Sequence, residues 1–258
     1  MCKKAVILFV CCILAVPSIG REQAVYCGNE GAVSFAETVS FTSKETDAGQ
    51  TVATLPAYLG IGSNACVPAA ASIVLGYYDI YKPELIPDFT SAYVYNGVYY
   101  YAAQNDKVNS VINQLAELMQ TNVISPGTTV AQFKAGFTKY VNVKGYSVAY
   151  ESLMTNNFSL EAFKEKIEAN TPVLLFLNGY RYNTLAGYSE MSGTDVFSGI
   201  TSENRHACAA YGYKTFRYYR NGSLFRTDTY LLVAFGDNTK GMLLMDISRI
   251  EDAYAIII

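Results

Sequence analysis

The sequence predicts an α+β protein in which a helical first half packs on an antiparallel, sheet-rich second half. Three observations carry that prediction. Between about residue 63 and residue 170 the apolar residues recur mostly at helical spacing. From Pro172 onward the period becomes that of sheet. The two kinds of element are segregated along the chain rather than alternating, which is the α+β pattern and not that of a parallel βαβ sheet.

The elements follow in order. Residues 21 to 58 are rich in Ser, Thr, Gly and Glu, and read as an extended arm with short edge strands or as a short propeptide. The first strong helix lies in SNACVPAAASIVLGYYDIY: Ser63 or Asn64 can cap it and Pro68 is tolerated in the first turn. Ala69 to Leu75 is apolar on every side, so this helix should be central. Asn96-Gly97 between two tyrosine runs marks a hairpin. Val108, Val111, Ile112, Leu115, Leu118 and Met119 make one helical stripe, and Phe133, Phe137 and Tyr140 another that begins near Thr129. Ser159 caps a further helix through Leu160, Phe163 and Ile167. PVLLFLN, HACAAYGYKTFRYY, TYLLVAF, GMLLMDI and YAIII then read as strands, with a tight turn at Asn221-Gly222. The stretch from Gly179 to Arg205 holds turn residues throughout and reads as a long loop delivering the chain to His206. Its Tyr180, Tyr182 and Tyr188 are candidate substrate contacts.

Composition bounds the function. The chain has 258 residues, with 19 basic against 22 acidic side chains and a formal net charge of -3. With no basic cluster it offers nothing to a phosphate backbone, so no nucleic-acid partner is expected. Residues 1 to 20 run from Lys3 and Lys4 through a short apolar stretch to Ser18 and Gly20, the order of a secretory signal cleaved before Arg21. The protein is therefore expected to be secreted or extracytoplasmic, with no stable membrane insertion. Cys27, Cys66 and Cys208 remain after the leader, an odd number in an oxidising compartment. The arrangement that suits the chemistry below joins Cys27 to Cys208 and keeps Cys66 as a thiol; three unpaired cysteines are the competing arrangement.

His206 is the one histidine of the chain, and it stands where an apolar strand begins. Cys66 stands at the start of the central helix, where the backbone N–H groups and the helix dipole favour thiolate over thiol. A thiolate can attack a carbonyl, and an imidazolium beside it can protonate the departing amine. Asp237 returns a carboxylate to an element end after the histidine strand and is the candidate to orient the ring; Asn238 and Asp246 are weaker choices. The Cys66 N–H is the natural oxyanion donor, with Asn64 as a possible side-chain donor that competes with its capping role. No zinc spacing, Gly-rich phosphate loop or serine elbow is present, so neither cofactor nor metal is expected.

SNACVPAAASIVLGYYD resembles the nucleophile motif of the C39-like branch of papain-like cysteine peptidases, and HACAAYGYK resembles the histidine segment of that group. SLEAFKEKIEANTPVLLFLNG is similar to the helix and strand between them, so the resemblance covers residues 60 to 250 in order. It implies the papain-like cysteine proteinase fold for a catalytic domain at 59–258, with Cys66 as nucleophile, His206 as general acid and base, and Asp237 as orienting residue. The implied activity is hydrolysis of peptide or related amide bonds, on a peptide or protein substrate, through a thioester acyl-enzyme. Two positions depart from the family: Val67 stands where Gly is usual, at the mouth of the site, and Gly60 where an upstream Gln often completes the oxyanion hole. Those departures keep open an inactive binding or adhesion protein; an acyltransferase would use the same thiol.

Overall fold

A computed structural model describes residues 25, 26, 31–51 and 53–258. The expected leader at 1–20 and Cys27 lie outside the described residues. In chain order the elements are β1 (Val25–Tyr26), β2 (Val33–Ser40), β3 (Ser43–Gln50), α1 (Cys66–Asp79), β4 (Ala92–Tyr95), β5 (Val98–Tyr101), α2 (Asp106–Leu118), β6 (Thr128–Thr129) and α3 (Val130–Val143). There follow β7 (Ala149–Ser152), α4 (Leu160–Glu168), β8 (Val173–Met191), β9 (Thr194–Arg220), β10 (Ser223–Ala234), β11 (Lys240–Leu244) and β12 (Ile250–Ile257). The architecture is a mixed α+β fold with helices packed on an antiparallel sheet.

Local chemistry accounts for most boundaries. Thr129 and Gln132 form a reciprocal capping box at α3, and the Ser159 hydroxyl accepts from Ala162 N–H at α4. Asn105, which the periodicity did not mark, caps α2 by accepting from Lys107 and Val108. Asn96-Gly97 and Asn221-Gly222 both lie at positive φ, the geometry that two-residue hairpin turns demand. Helix α1 departs from expectation: its cap is Ala65, with no side-chain hydrogen bond, and neither Ser63 nor Asn64 fills that role.

The main sheet is built around two long strands. β9 pairs with β2 and β3 as well as with β8 and β10. β8 pairs in turn with β11 and β12. Since β10 also pairs with β11, strands β8, β9, β10 and β11 close a circuit. One core cluster joins α1, α2 and α3 to sheet residues such as Leu174, Phe176, Ala207 and Ala209. A second, on the alternate residues, joins Phe163 and Ile167 of α4 to Leu175, Cys208, Val233 and Phe235.

The segment read as a long loop is a β-ribbon. β8 and β9 pair from Val173↔Ala210 out to Met191↔Thr194, turning at Gly193. Its glycines are sheet residues at close crossings rather than turn punctuation: a Cβ on Gly199 would lie 2.0 Å from the Tyr182 carbonyl oxygen. The arm at 31–51 is likewise part of the sheet, with β2 and β3 each hydrogen-bonded along β9. No helix of the described residues is long and apolar enough to cross a membrane.

The expected Cys27–Cys208 disulfide is overturned, because Cys208 carries a free thiol. Its side chain faces the second core cluster with no exposed surface, walled off from any partner outside the sheet. Burial and the negative charge potential of Cys66 and Asp237 push that thiol well above its ordinary pKa, so it stays protonated and inert.

Candidate functional site

Cys66 is the first residue of α1, whose first intrahelical hydrogen bond runs from Ala69 N–H to Ala65 C=O. Pro68 contributes no N–H to that first turn, so Cys66 and Val67 supply the backbone donors that such a helix start offers to a negative charge. Val67 is fully buried in the helix-side core and adds no bulk at an exposed mouth.

His206 sits on β9 directly opposite Leu177 of β8. Its ring lies 4.1 Å from that of Phe235, and Phe235 in turn stacks on Tyr182 at 4.0 Å. Tyr180 closes the group from the side, 5.3 Å from His206. The His206 Nε2 is 2.9 Å from the backbone oxygen of Phe235. A carbonyl can only accept, so Nε2 carries the proton and Nδ1 is the nitrogen able to exchange one. Phe235 thus holds the imidazole twice, by its ring and by its carbonyl.

The residues just after Phe235 connect this group to the helix start. Gly236 accepts from Gly60 N–H at 3.0 Å, Asp237 forms a β-bridge with Leu59, and a Cβ on Gly236 would come within 3.4 Å of Ala69 in the first turns of α1. The Tyr180 hydroxyl is pushed up to about 12, by burial first, with the negative charges of Asp237 and Cys66 adding to it. Cys66 and Asp237 also act together on Cys208.

The remaining expected residues have definite places. Asp237 accepts hydrogen bonds through Oδ1 from the Thr239 backbone N–H, at 3.1 Å, and from its hydroxyl, so its carboxylate braces the 235–239 turn. Asn64 donates through Nδ2 to Asn122 Oδ1 at 3.2 Å, which directs its amide toward the α2–α3 connection. Tyr180 and Tyr182 are buried ring neighbours of Phe235, and the Tyr182 hydroxyl shares a hydrogen bond with Thr239 at 2.6 Å. Tyr188 stands farther along the ribbon, where its hydroxyl accepts from Lys44 at 3.2 Å.

Two contributors escape sequence reasoning. One is the Phe235 carbonyl, since a backbone acceptor leaves no mark in residue type. The other is Gln104, which accepts from Leu59 N–H at 2.6 Å and donates to Leu59 C=O at 3.0 Å. Its amide fixes the segment beside the site from a distant part of the chain. At position 60 itself a side chain would be crowded, because a Cβ there would meet the Ala65 carbonyl oxygen at 3.1 Å.

Cys66 and His206 are 5% and 3% exposed, so both are almost wholly enclosed. Among the described residues no group of His, Cys, Asp and Glu is placed to hold a metal ion. No family model matches the chain, and no curated protein or solved structure matches it either.

Proposed function

We propose that the protein is a cysteine-dependent hydrolase of peptide or related amide bonds, built on a papain-like fold and exported by its leader. One observation carries the reading: a single turn, residues 235 to 237, holds His206 through the Phe235 carbonyl and meets the start of α1, where Cys66 stands, through Gly236. The motif resemblance around Cys66 and His206 supports the same pair, and the basic, apolar and small residues of 1–20 support export.

In the reaction so read, the Cys66 thiolate adds to the substrate carbonyl and the helix N–H groups receive the oxyanion. The His206 imidazolium, its Nε2–H kept on Phe235, gives the Nδ1 proton to the departing amine as the C–N bond breaks. Water then attacks the thioester, Nδ1 takes its proton, and the acid leaves as the thiolate returns. Asp237 stabilises the cationic ring by its charge and by bracing the turn, not by a direct hydrogen bond as the orienting residue was expected to do.

The test is the pH dependence of iodoacetamide labelling, with the modified cysteine assigned by mass spectrometry. Cys66 is expected to label well below the ordinary thiol pKa of about 8.5, and Cys208 not at all in the folded protein. His206→Ala should remove the low-pH reactivity. Labelling that rises only near the ordinary thiol pKa, unchanged in the variant, would sink the catalytic reading in favour of a binding protein.

Asp237→Asn separates the two roles of that residue. The amide oxygen can still accept from Thr239, so the turn survives and only the charge is lost. The labelling rate at neutral pH is expected to fall by less than about tenfold, the loss that about 1.4 kcal/mol of charge stabilisation represents. A loss as complete as that of His206→Ala would mean that Asp237 holds the ring directly.

A further inference from the structure

Among the described residues one well-buried lysine is matched to carboxylates. Lys44, with a side chain 6% exposed, meets both Asp195 and Glu190 at 2.9 Å. Other partly buried lysines lack such a partner, among them Lys134, whose ammonium lies 3.5 Å from the centre of the Tyr254 ring, and Lys240. Lys240 opens β11, three positions after Asp237. Its ammonium donates to the Thr54 hydroxyl at 3.2 Å and lies 5.4 Å from the centre of the Tyr101 ring. Among the described residues no carboxylate stands within ion-pair distance of it. Burial alone depresses its pKa, with no opposing charge to raise it again.

Such an arrangement is costly unless something repays it, because a desolvated charge with one neutral partner has lost water without gaining an anion. The Tyr101 face offsets part of that cost as a cation–π partner. An ammonium has three donors, and one is spent on Thr54. The side chain is partly open to solvent, so a ligand can reach it. The Tyr101 hydroxyl, at the far end of the ring that Lys240 faces, is buried with no hydrogen-bond partner. This corner also borders the reacting turn: Gln104, three residues after Tyr101, clamps Leu59, and Leu59 is half-exposed and bridges Asp237.

We propose that Lys240, with Thr54 and Tyr101, forms a subsite that receives a carboxylate of the substrate, either an acidic side chain or a C-terminal carboxylate. The identity of the bound molecule as substrate rests on the hydrolase reading; the carboxylate site does not. Binding is therefore measured by calorimetry on the full mature chain carrying Cys66→Ala, so that loss of thiol chemistry and loss of this site are separate results.

Three N-acetylated tripeptides serve as probes: Ala-Glu-Ala with an amidated terminus, Ala-Gln-Ala with an amidated terminus, and Ala-Gln-Ala with a free carboxylate. One of the two anionic peptides is expected to bind roughly tenfold more tightly than the neutral one, equivalent to about 1.4 kcal/mol. Which of them does so tells a side-chain carboxylate from a terminal one. Lys240→Met should erase the preference and Lys240→Arg should keep most of it. Lys240→Met is expected to melt no lower than its parent; if it fails to fold, Lys240→Gln answers the same question. Equal binding of all three peptides, no binding at millimolar concentration, or a preference that survives Lys240→Met would each overturn the proposal.

Discussion

Asp195→Ala is expected to destabilise the protein by about 3–5 kcal/mol, the cost of leaving one member of a buried ion pair alone. Asp195 has no exposed side-chain surface. Its two oxygens each accept from Lys44 Nζ at 2.9 Å, and one also accepts from the Tyr218 hydroxyl at 2.9 Å. Around the ammonium stand the rings of Phe41, Tyr188 and Phe216. Without that carboxylate, Lys44 keeps the Tyr188 hydroxyl and a single ionic partner, Glu190, whose side chain is largely exposed. Urea unfolding should show a lower midpoint with an unchanged slope. The double variant Lys44→Met, Asp195→Leu should recover most of the loss, since it removes both charges together. A single-variant loss below about 1 kcal/mol would place this pair with surface salt bridges, where such values are usual. The pH dependence follows from Lys44. Burial works against its charge, but the hydrogen bonds it donates to Asp195, Glu190 and Tyr188 outweigh it, so the folded pKa is raised. That contribution is fully present below the unfolded lysine value of about 10.4 and is lost as pH rises through the folded value.

Gly199→Ala and Gly241→Ala should each cost about 3 kcal/mol or more, at the upper end of what overpacking produces. The two glycines face β8 from opposite neighbours, one on β9 and one on β11. A Cβ on Gly199 would sit 2.0 Å from the Tyr182 carbonyl oxygen, and one on Gly241 would sit 2.0 Å from that of Asn183. Both obstacles are backbone, so relief requires parting strands that close the sheet circuit and carry the Tyr182–Phe235–His206 stack. Gly222→Ala is the control. Its Cβ would meet nothing within 4 Å, and only its positive φ of 81° opposes substitution, worth about 1–2 kcal/mol. Thermal unfolding of the three variants, with Cys66 labelling as a local readout, distinguishes crossing strain from turn strain. Similar small losses at all three positions would mean that the crossing yields.

The same glycines explain where the sequence misled. Ser159, Thr129, Asn96-Gly97 and Asn221-Gly222 act through neighbours a few residues away, and each is legible at its expected place. Gly187 and Gly199 act through Ser198 and Tyr182, across a ribbon that local pattern cannot see, so a stretch of paired strand reads as a loop. At the site, Cys66 and His206 were legible because thiol and imidazole are rare; Cys66 does open α1, but His206, expected to begin a strand, lies in the middle of β9 because the stretch before it is paired ribbon rather than loop. The Phe235 carbonyl, the Gln104 clamp and the Thr54 contact of Lys240 were not, since each depends on which distant segments the sheet brings side by side. The expected disulfide failed for a related reason: an odd cysteine count says that one is left over, not which one a strand turns inward.

The pairing of β2 and β3 with β9 also sets an order of events. Thr42 near the start of the chain donates to the carbonyl of Tyr219, 177 positions later. During synthesis from the N-terminus, the first strands therefore have no partner until β9 has emerged, and the circuit cannot close before β11 follows it. Non-local pairing of this kind is slow to form and exposes strand edges while it waits. The polar composition of β3, SKETDAGQ, and the isolation of Lys44 as its buried charge suit a strand that must stay soluble alone before it is covered. A ribosome-bound chain ending before residue 240 would therefore lack the strand that joins β10 to β8.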